Sequence, residues 1–143
     1  MLLISMFTVL LPIDGNEEHG AAQADAVAML PNAVETVEVT LLYVFDDENR
    51  AEVTAPKQIN GGRIAHNRLM DAGVSVEEMS RVGDPAAEIL AAAAEIDADY
   101  IVLGGRKRSP LGSLLFGSVS QAVILDADRP VTITGGKAER QSG

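Results

Sequence analysis

The chain contains no cysteine, which removes disulfide frameworks, thiolate zinc sites and cysteine nucleophiles from the chemistry open to it. That absence fits a reducing, cytoplasmic interior. Tryptophan is also missing and aromatic residues make up only 3% of the chain, so the core must pack on Val, Ile, Leu, Ala and Met. Lysine is scarce: three Lys accompany eight Arg, and these 11 bases face 21 acids for a formal charge of −10. So acidic a chain has no broad basic face, which argues against DNA or RNA as a partner and equally against an anionic membrane. An acid-rich, lysine-poor surface suits a halophilic protein, because strong screening blunts self-repulsion. Ordinary solubility charge is the alternative reading.

No apolar run reaches the roughly 20 residues that a membrane-spanning helix takes. The N-terminal run from Met1 to Ile13 has no basic leading region and no obvious small-residue cleavage site, and it closes at Pro12 and Asp14. It reads as a buried first strand rather than a secretory signal. Met6 is an alternative start, which makes 1–5 an N-terminal extension.

What is present is a single-domain length of 143 residues, 47% of them hydrophobic, enough for one core. Strand and helix patterns alternate throughout. Phe7 to Ile13 is apolar; Asn16 can cap a helix with Glu17 and Glu18 in its first turn, and Ala21, Ala24, Val27 and Ala28 form its inner stripe. Val37 to Phe45 reads as a second strand. Asp46 to Gly62 is expected as a loop running into a helix that ends near Ala72-Gly73. Val74 to Val82 is a weaker strand, and Asp84-Pro85 opens a helix with Ile89, Leu90, Ala93 and Ala94 on one side. Tyr100 to Leu103 is a strand expected to break at Gly104-Gly105. A last helix is expected to carry Leu115, Val119, Ala122 and Val123, and Pro130 to Thr134 a last strand, with 135–143 a disordered tail. Five strands separated by four helices point to an open, doubly wound parallel sheet. Ligands bind such sheets beyond the carboxyl ends of the strands, which directs attention to Asp14, Asp46, Arg81 and the residues from Gly104 onward.

The segment Leu103 to Ser120 carries the clearest chemistry. Arg106, Lys107 and Arg108 are consecutive bases in an acidic chain, set between a strand and a helix. Glycines permit close backbone approach, and a helix N-terminus offers unpaired N–H donors to an anion. Together they make a phosphate cradle; a solvated basic turn is the bland alternative. Neither the Walker pattern nor the dinucleotide fingerprint Gly-x-Gly-x-x-Gly occurs.

The spacing Gly104-x2-Lys107-x9-Gly117-Ser118, followed by Val119-Ser120, resembles the ATP-binding motif Gly-x2-Gly-x9-Gly-Ser/Thr of the universal stress protein family. Val-Leu-Leu-Pro-Ile-Asp at the first strand, Leu-Leu-Tyr-Val at the second, Gly83-Asp-Pro85-Ala-Ala-Glu-Ile-Leu and Arg129-Pro-Val add to the likeness, which spans nearly the whole chain. The chain is identified as a member of that family, with its domain over 6–134. The resemblance implies a Rossmann-like, adenine nucleotide alpha hydrolase-like fold of strand order 3-2-1-4-5. It implies ATP or AMP as ligand, with Mg2+ accompanying a triphosphate. Pro12, Ile13 and Asp14 would border the nucleoside and Val44 the adenine. Leu103, Gly104, Arg106 and Lys107 would line the phosphates, with N–H and hydroxyl donors from Gly117, Ser118, Val119 and Ser120. Lys107 replaces the motif's second glycine: its side chain either blocks the backbone's approach or supplies a charge-assisted contact that contributes about 1.5–3 kcal/mol. The resemblance also points to a homodimer paired through Val131 to Thr134, an apolar-alternating strand near an edge.

Other candidates are weaker. Asp14 could ligate a metal or merely cap a helix. Asp46, Asp47 and Glu48 could hold Mg2+ but read better as solvated acids. His19 and His66 have no partner suggested by spacing and receive no role. Ser118 is a phosphate acceptor by resemblance, with no general base beside it in sequence. The leading function is an adenine-nucleotide-binding module in stress response or signalling, without robust catalysis. The alternatives are a weak ATPase or self-phosphorylating protein, and a family member that has lost ATP binding. A receiver domain is rejected, because Arg81-Val-Gly stands where a phospho-accepting Asp would follow the third strand.

Overall fold

A computed structural model describes residues 5–108, 111 and 114–135, with side chains at all of these except 106–108 and 114–115. Most of the expected extension and of the tail, and the side chains of Arg106 and Lys107, thus lie outside the described residues. The elements run β1 (Phe7–Pro12), α1 (Glu17–Ala28), α2 (Ala33–Thr36), β2 (Val37–Phe45), α3 (Glu48–Val53), a 3-10 turn (Pro56–Gln58), α4 (Asn60–Asp71), β3 (Ser75–Val82), α5 (Pro85–Glu95), β4 (Tyr100–Arg108), β5 (Leu114–Leu115), α6 (Ser118–Asp126) and β6 (Val131–Gly135).

Five strands form a parallel sheet in the order β3-β2-β1-β4-β6, the expected 3-2-1-4-5 arrangement with β6 as its last member. Both faces are covered, so β1 reads as a continuous apolar run rather than an alternating one. Val9 and Leu11 face one layer with Ala24, Val27, Ala65 and Leu69 of α1 and α4. Leu10 faces the other, with Ile89, Ala93 and Val123 of α5 and α6. The α1–α4 crossing is close because it is made of glycine: a Cβ on Gly20 would run into the Gly61 backbone, and one on Gly61 into the Asp14 carbonyl.

Local signals set three helix starts. Asn16 accepts from the His19 amide at 3.0 Å, Asp47 from Asn49 at 2.7 Å and Asp84 from Ala87 at 3.0 Å, each capping a first turn. Four expectations need correction. The stretch from Asp46 to Gly62, expected as a loop running into a helix, holds α3, which starts at the Asp47 cap, and the 3-10 turn before α4 begins at Asn60. β4 does not end at Gly104-Gly105: Gly105 adopts φ +96°, the register shifts between Leu103 and Arg106, and the strand resumes to Arg108. A glycine inside a strand marks a bulge as readily as an end. Leu115 belongs to β5, which pairs antiparallel with that extension (Lys107 opposite Leu115), and not to the last helix. Gly135 closes β6 opposite Arg106 and is not part of a disordered tail.

The β1–β4 ladder is short. Val9 pairs with Tyr100 and Leu10 with Ile101, after which the strands part and open a crevice. The buried Gln23 of α1 bridges the gap, its Nε2 donating to the Pro12 carbonyl at 2.6 Å and the Val102 carbonyl at 3.0 Å. Both partners accept, so only the NH2 end of the amide can face them. Replacing Gln23 with Leu keeps the volume but leaves two buried acceptors without a donor. The variant is expected to lose about 2 kcal/mol of stability, seen as a lower urea midpoint at unchanged slope.

Candidate functional site

Beyond the end of the β1–β4 ladder, six segments converge: the loop after β1, the first turns of α1, the end of β2, the start of α5, the β4 bulge and the start of α6. They enclose two adjoining clefts. One, of about 230 Å³, is walled largely by apolar groups, among them Ile13, Leu42, Val44, Ile89 and Leu103. The second, of about 470 Å³, is lined by His19, Gly105 and residues 116–118. Asp14, Gly104, Val119 and Ser120 line both, so the two are halves of one crevice, apolar at one end and rich in donors at the other.

The donors come from α6. Gly117 is its N-cap and offers no side-chain hydrogen bond to the first turn, and the first intrahelical bond of that turn runs from Gln121 N to Gly117 O at 3.0 Å. The amides of Ser118, Val119 and Ser120 therefore have no intrahelical acceptor and face the end of the crevice where an anion would gain most. Gly117 has ordinary backbone, φ −66°, and nothing lies within 4 Å of where its Cβ would stand. Folding does not require glycine there. The missing side chain leaves room at the cleft.

The structure thus brings together Pro12, Ile13, Asp14, Val44, Leu103, Gly104, Gly117, Ser118, Val119 and Ser120 on one crevice. Arg106 and Lys107 are placed by their backbone on the β4 extension just past it. Lys107 sits in paired, extended chain, a conformation any residue adopts. Other candidates are not at the crevice. Asp47 caps α3, and Arg81 donates to Glu88 at 2.8 Å and lies 3.5 Å from Glu95. The hydrogen bond to Glu88 raises the Arg81 pKa further, against some desolvation, and ties β3 to α5. His66 lies on α4, outside both clefts.

Two site residues escaped the reading of the sequence. Gln23 lines the apolar half, and no periodicity marks a polar side chain for burial. His19 Nδ1 stands 2.8 Å from Asp14 Oδ2, a pairing made across the helix cap at a spacing that no regular element predicts. Asp14 Oδ1 in turn accepts from Asn16 N at 2.8 Å. Each carboxylate oxygen of Asp14 thus has a hydrogen-bond partner, and among the described residues no three His, Cys, Asp or Glu side chains converge on a metal position.

The family model described as Universal stress protein family matches residues 6–135. The chain belongs to the universal stress protein family. A universal stress protein of Mycolicibacterium smegmatis is 44% identical over 64 residues, 44% of this chain and 49% of that protein, so the match spans about half of that relative's length. A universal stress protein structure from Archaeoglobus fulgidus superposes with TM-score 0.71 at 28% identity, covering 90% of this chain and 98% of the other. Another from the same organism, in complex with dAMP, gives TM-score 0.67 at 24% identity over 92% of this chain and 99% of that one, a likeness of fold.

The glycines of this universal stress protein have separable duties. Gly117→Ser, which keeps a good N-cap residue and has room for its side chain, is expected to leave stability unchanged to within about 0.5 kcal/mol. Gly105→Ala is expected to cost about 1–2 kcal/mol, because a Cβ is strained at that φ. Thermal melts of the two variants beside the parent check the contrast, and equal losses would contradict it.

Proposed function

We propose that this universal stress protein is an adenine-nucleotide-binding module in stress response or signalling, holding ATP or AMP in the crevice between β1 and β4. The observation that carries the reading is the join of an apolar half and a donor-rich half through Asp14, Gly104, Val119 and Ser120. A base stacks in the apolar half against Leu42 and Val44, and Asp14 borders the sugar. The phosphates reach the α6 amides, with Arg106 and Lys107 on the neighbouring strand. Recognition of that kind uses apolar burial for the ring and charge-assisted hydrogen bonds for the phosphates, each contributing about 1.5–3 kcal/mol.

Ser118→Glu separates the two halves. A carboxylate in the first turn of α6 favours the helix by about 0.3–1 kcal/mol, so the fold should hold. The same charge repels a phosphate. Calorimetry should find the affinity for ATP lowered about tenfold or more, which is about 1.4 kcal/mol, with adenosine unaffected. No heat from ATP, AMP or adenosine with the parent protein would overturn the reading. Phosphate release in the same samples separates a binding module from a hydrolase.

We further propose a cytoplasmic homodimer paired through Val131 to Thr134. β6 pairs with β4 on one side, and among the described residues no strand takes its other side, which leaves an edge open to a second copy. No helix among those residues is long and apolar enough to cross a membrane. Light scattering should give twice the chain mass of 15.0 kDa, and a monomer at working salt would contradict the dimer.

A further inference from the structure

Resting on the nucleotide reading of the crevice, we infer that His19, held by Asp14, recognises the phosphate and makes binding of an anionic ligand depend on pH. His19 is a partly buried residue on the first turn of α1, its side chain 27% exposed, and it lines the donor-rich half with Ser118 and Ser120. Its ring lies over Gly105, whose absent Cβ would stand 3.4 Å from Cε1, while a Cβ on Gly104 would come within 3.0 Å of the His19 Cβ. The two glycines of the bulge therefore make the space the imidazole occupies.

The hydrogen bond to Asp14 decides which nitrogen faces outward. With Nδ1–H donating to the carboxylate at 2.8 Å, the neutral ring keeps its lone pair on Nε2, for which the described residues provide no partner. Protonation converts Nε2 into a donor and gives the ring a positive charge. Asp14 offsets it, and a phosphate at the α6 amides adds a second negative partner. Binding a phosphate then favours the protonated ring, and by linkage lower pH favours binding.

The charges on the elements around His19 do not supply an equivalent switch. On α1, Glu17 lies 3.6 Å from Arg63 of α4 and Asp25 pairs with Arg68 of α4 at 2.7 Å, while Glu18 is exposed. Glu35 of α2 lies beyond the far end of α1. α6 carries no charge before Asp126, and β6 carries none. The cations on β4 are Arg106, Lys107 and Arg108. On α4, Asp71 is the last residue of the helix and His66 lies outside both clefts, so His19 is the imidazole at the crevice.

The chain has two histidines, so proton NMR can follow both ring signals, with His66 as internal reference. On adding AMP, the titration midpoint of His19 should rise by about one unit, equivalent to about a tenfold coupling between proton and ligand. Adenosine should not move it, and His66 should not respond to either. In His19→Gln, the Asn16 cap on the backbone amide is untouched, and the extra gain in AMP affinity between pH 8 and pH 6 should disappear. What remains in that variant is the titration of AMP itself. AMP binding with an unmoved His19 signal, or the same pH profile in His19→Gln as in the parent, overturns this inference and leaves the crevice reading standing. Failure of AMP and adenosine alike overturns both.

Discussion

Where β1 and β4 part, two buried carbonyls need donors, and the side-chain amide of Gln23 supplies both. A parallel sheet that reverses its winding must separate two neighbouring strands at their carboxyl ends, and separation strips those strands of ladder partners just where they are still buried. An unpaired buried carbonyl costs about 1–3 kcal/mol. The amide answers that cost without closing the gap. Its own Oε1 comes to 3.0 Å from where a Cβ on Gly104 would stand, so the same side chain also requires glycine at the floor of the crevice.

The crevice works against the charge of the molecule. A chain of net charge −10 is an unwelcoming host for a phosphate unless local donors dominate. The first-turn amides of α6 act at short range, whereas the exposed acids are screened beyond about 8–10 Å at ordinary ionic strength. Asp14 is the acid that intrudes on the site, and it is already committed to Asn16 N and His19. Its charge orients an imidazole instead of standing free against an anion.

Glycine serves this fold in three different ways. Gly20 and Gly61 bring α1 and α4 into backbone contact, which sets the first helix, and His19 with it, at a fixed depth. Gly105 takes a left-handed backbone and lets β4 step sideways and continue. Gly117 does neither. The position taken by Lys107, where the family motif has glycine, is paired strand, so a side chain there carries no backbone penalty.

The amino-acid sequence alone determined the elements whose signals are local. The apolar run of β1, β2 from Val37 to Phe45, and the caps at Asn16 and Asp84 are written in neighbours a few residues apart, and the motif from Gly104 to Ser120 marks the right end of the sheet. Only the tertiary structure decided what depends on distant partners. The continuation of β4 past Gly105 needs β5 and β6 to pair with it, Leu115 follows that pairing rather than its helical spacing, and Gln23 is buried because Pro12 and Val102 lie on either side of it. His19 gained a role for the same reason. Its meaning rests on a carboxylate beyond the helix cap and a bulge on another strand, and neither contact leaves a period in the chain.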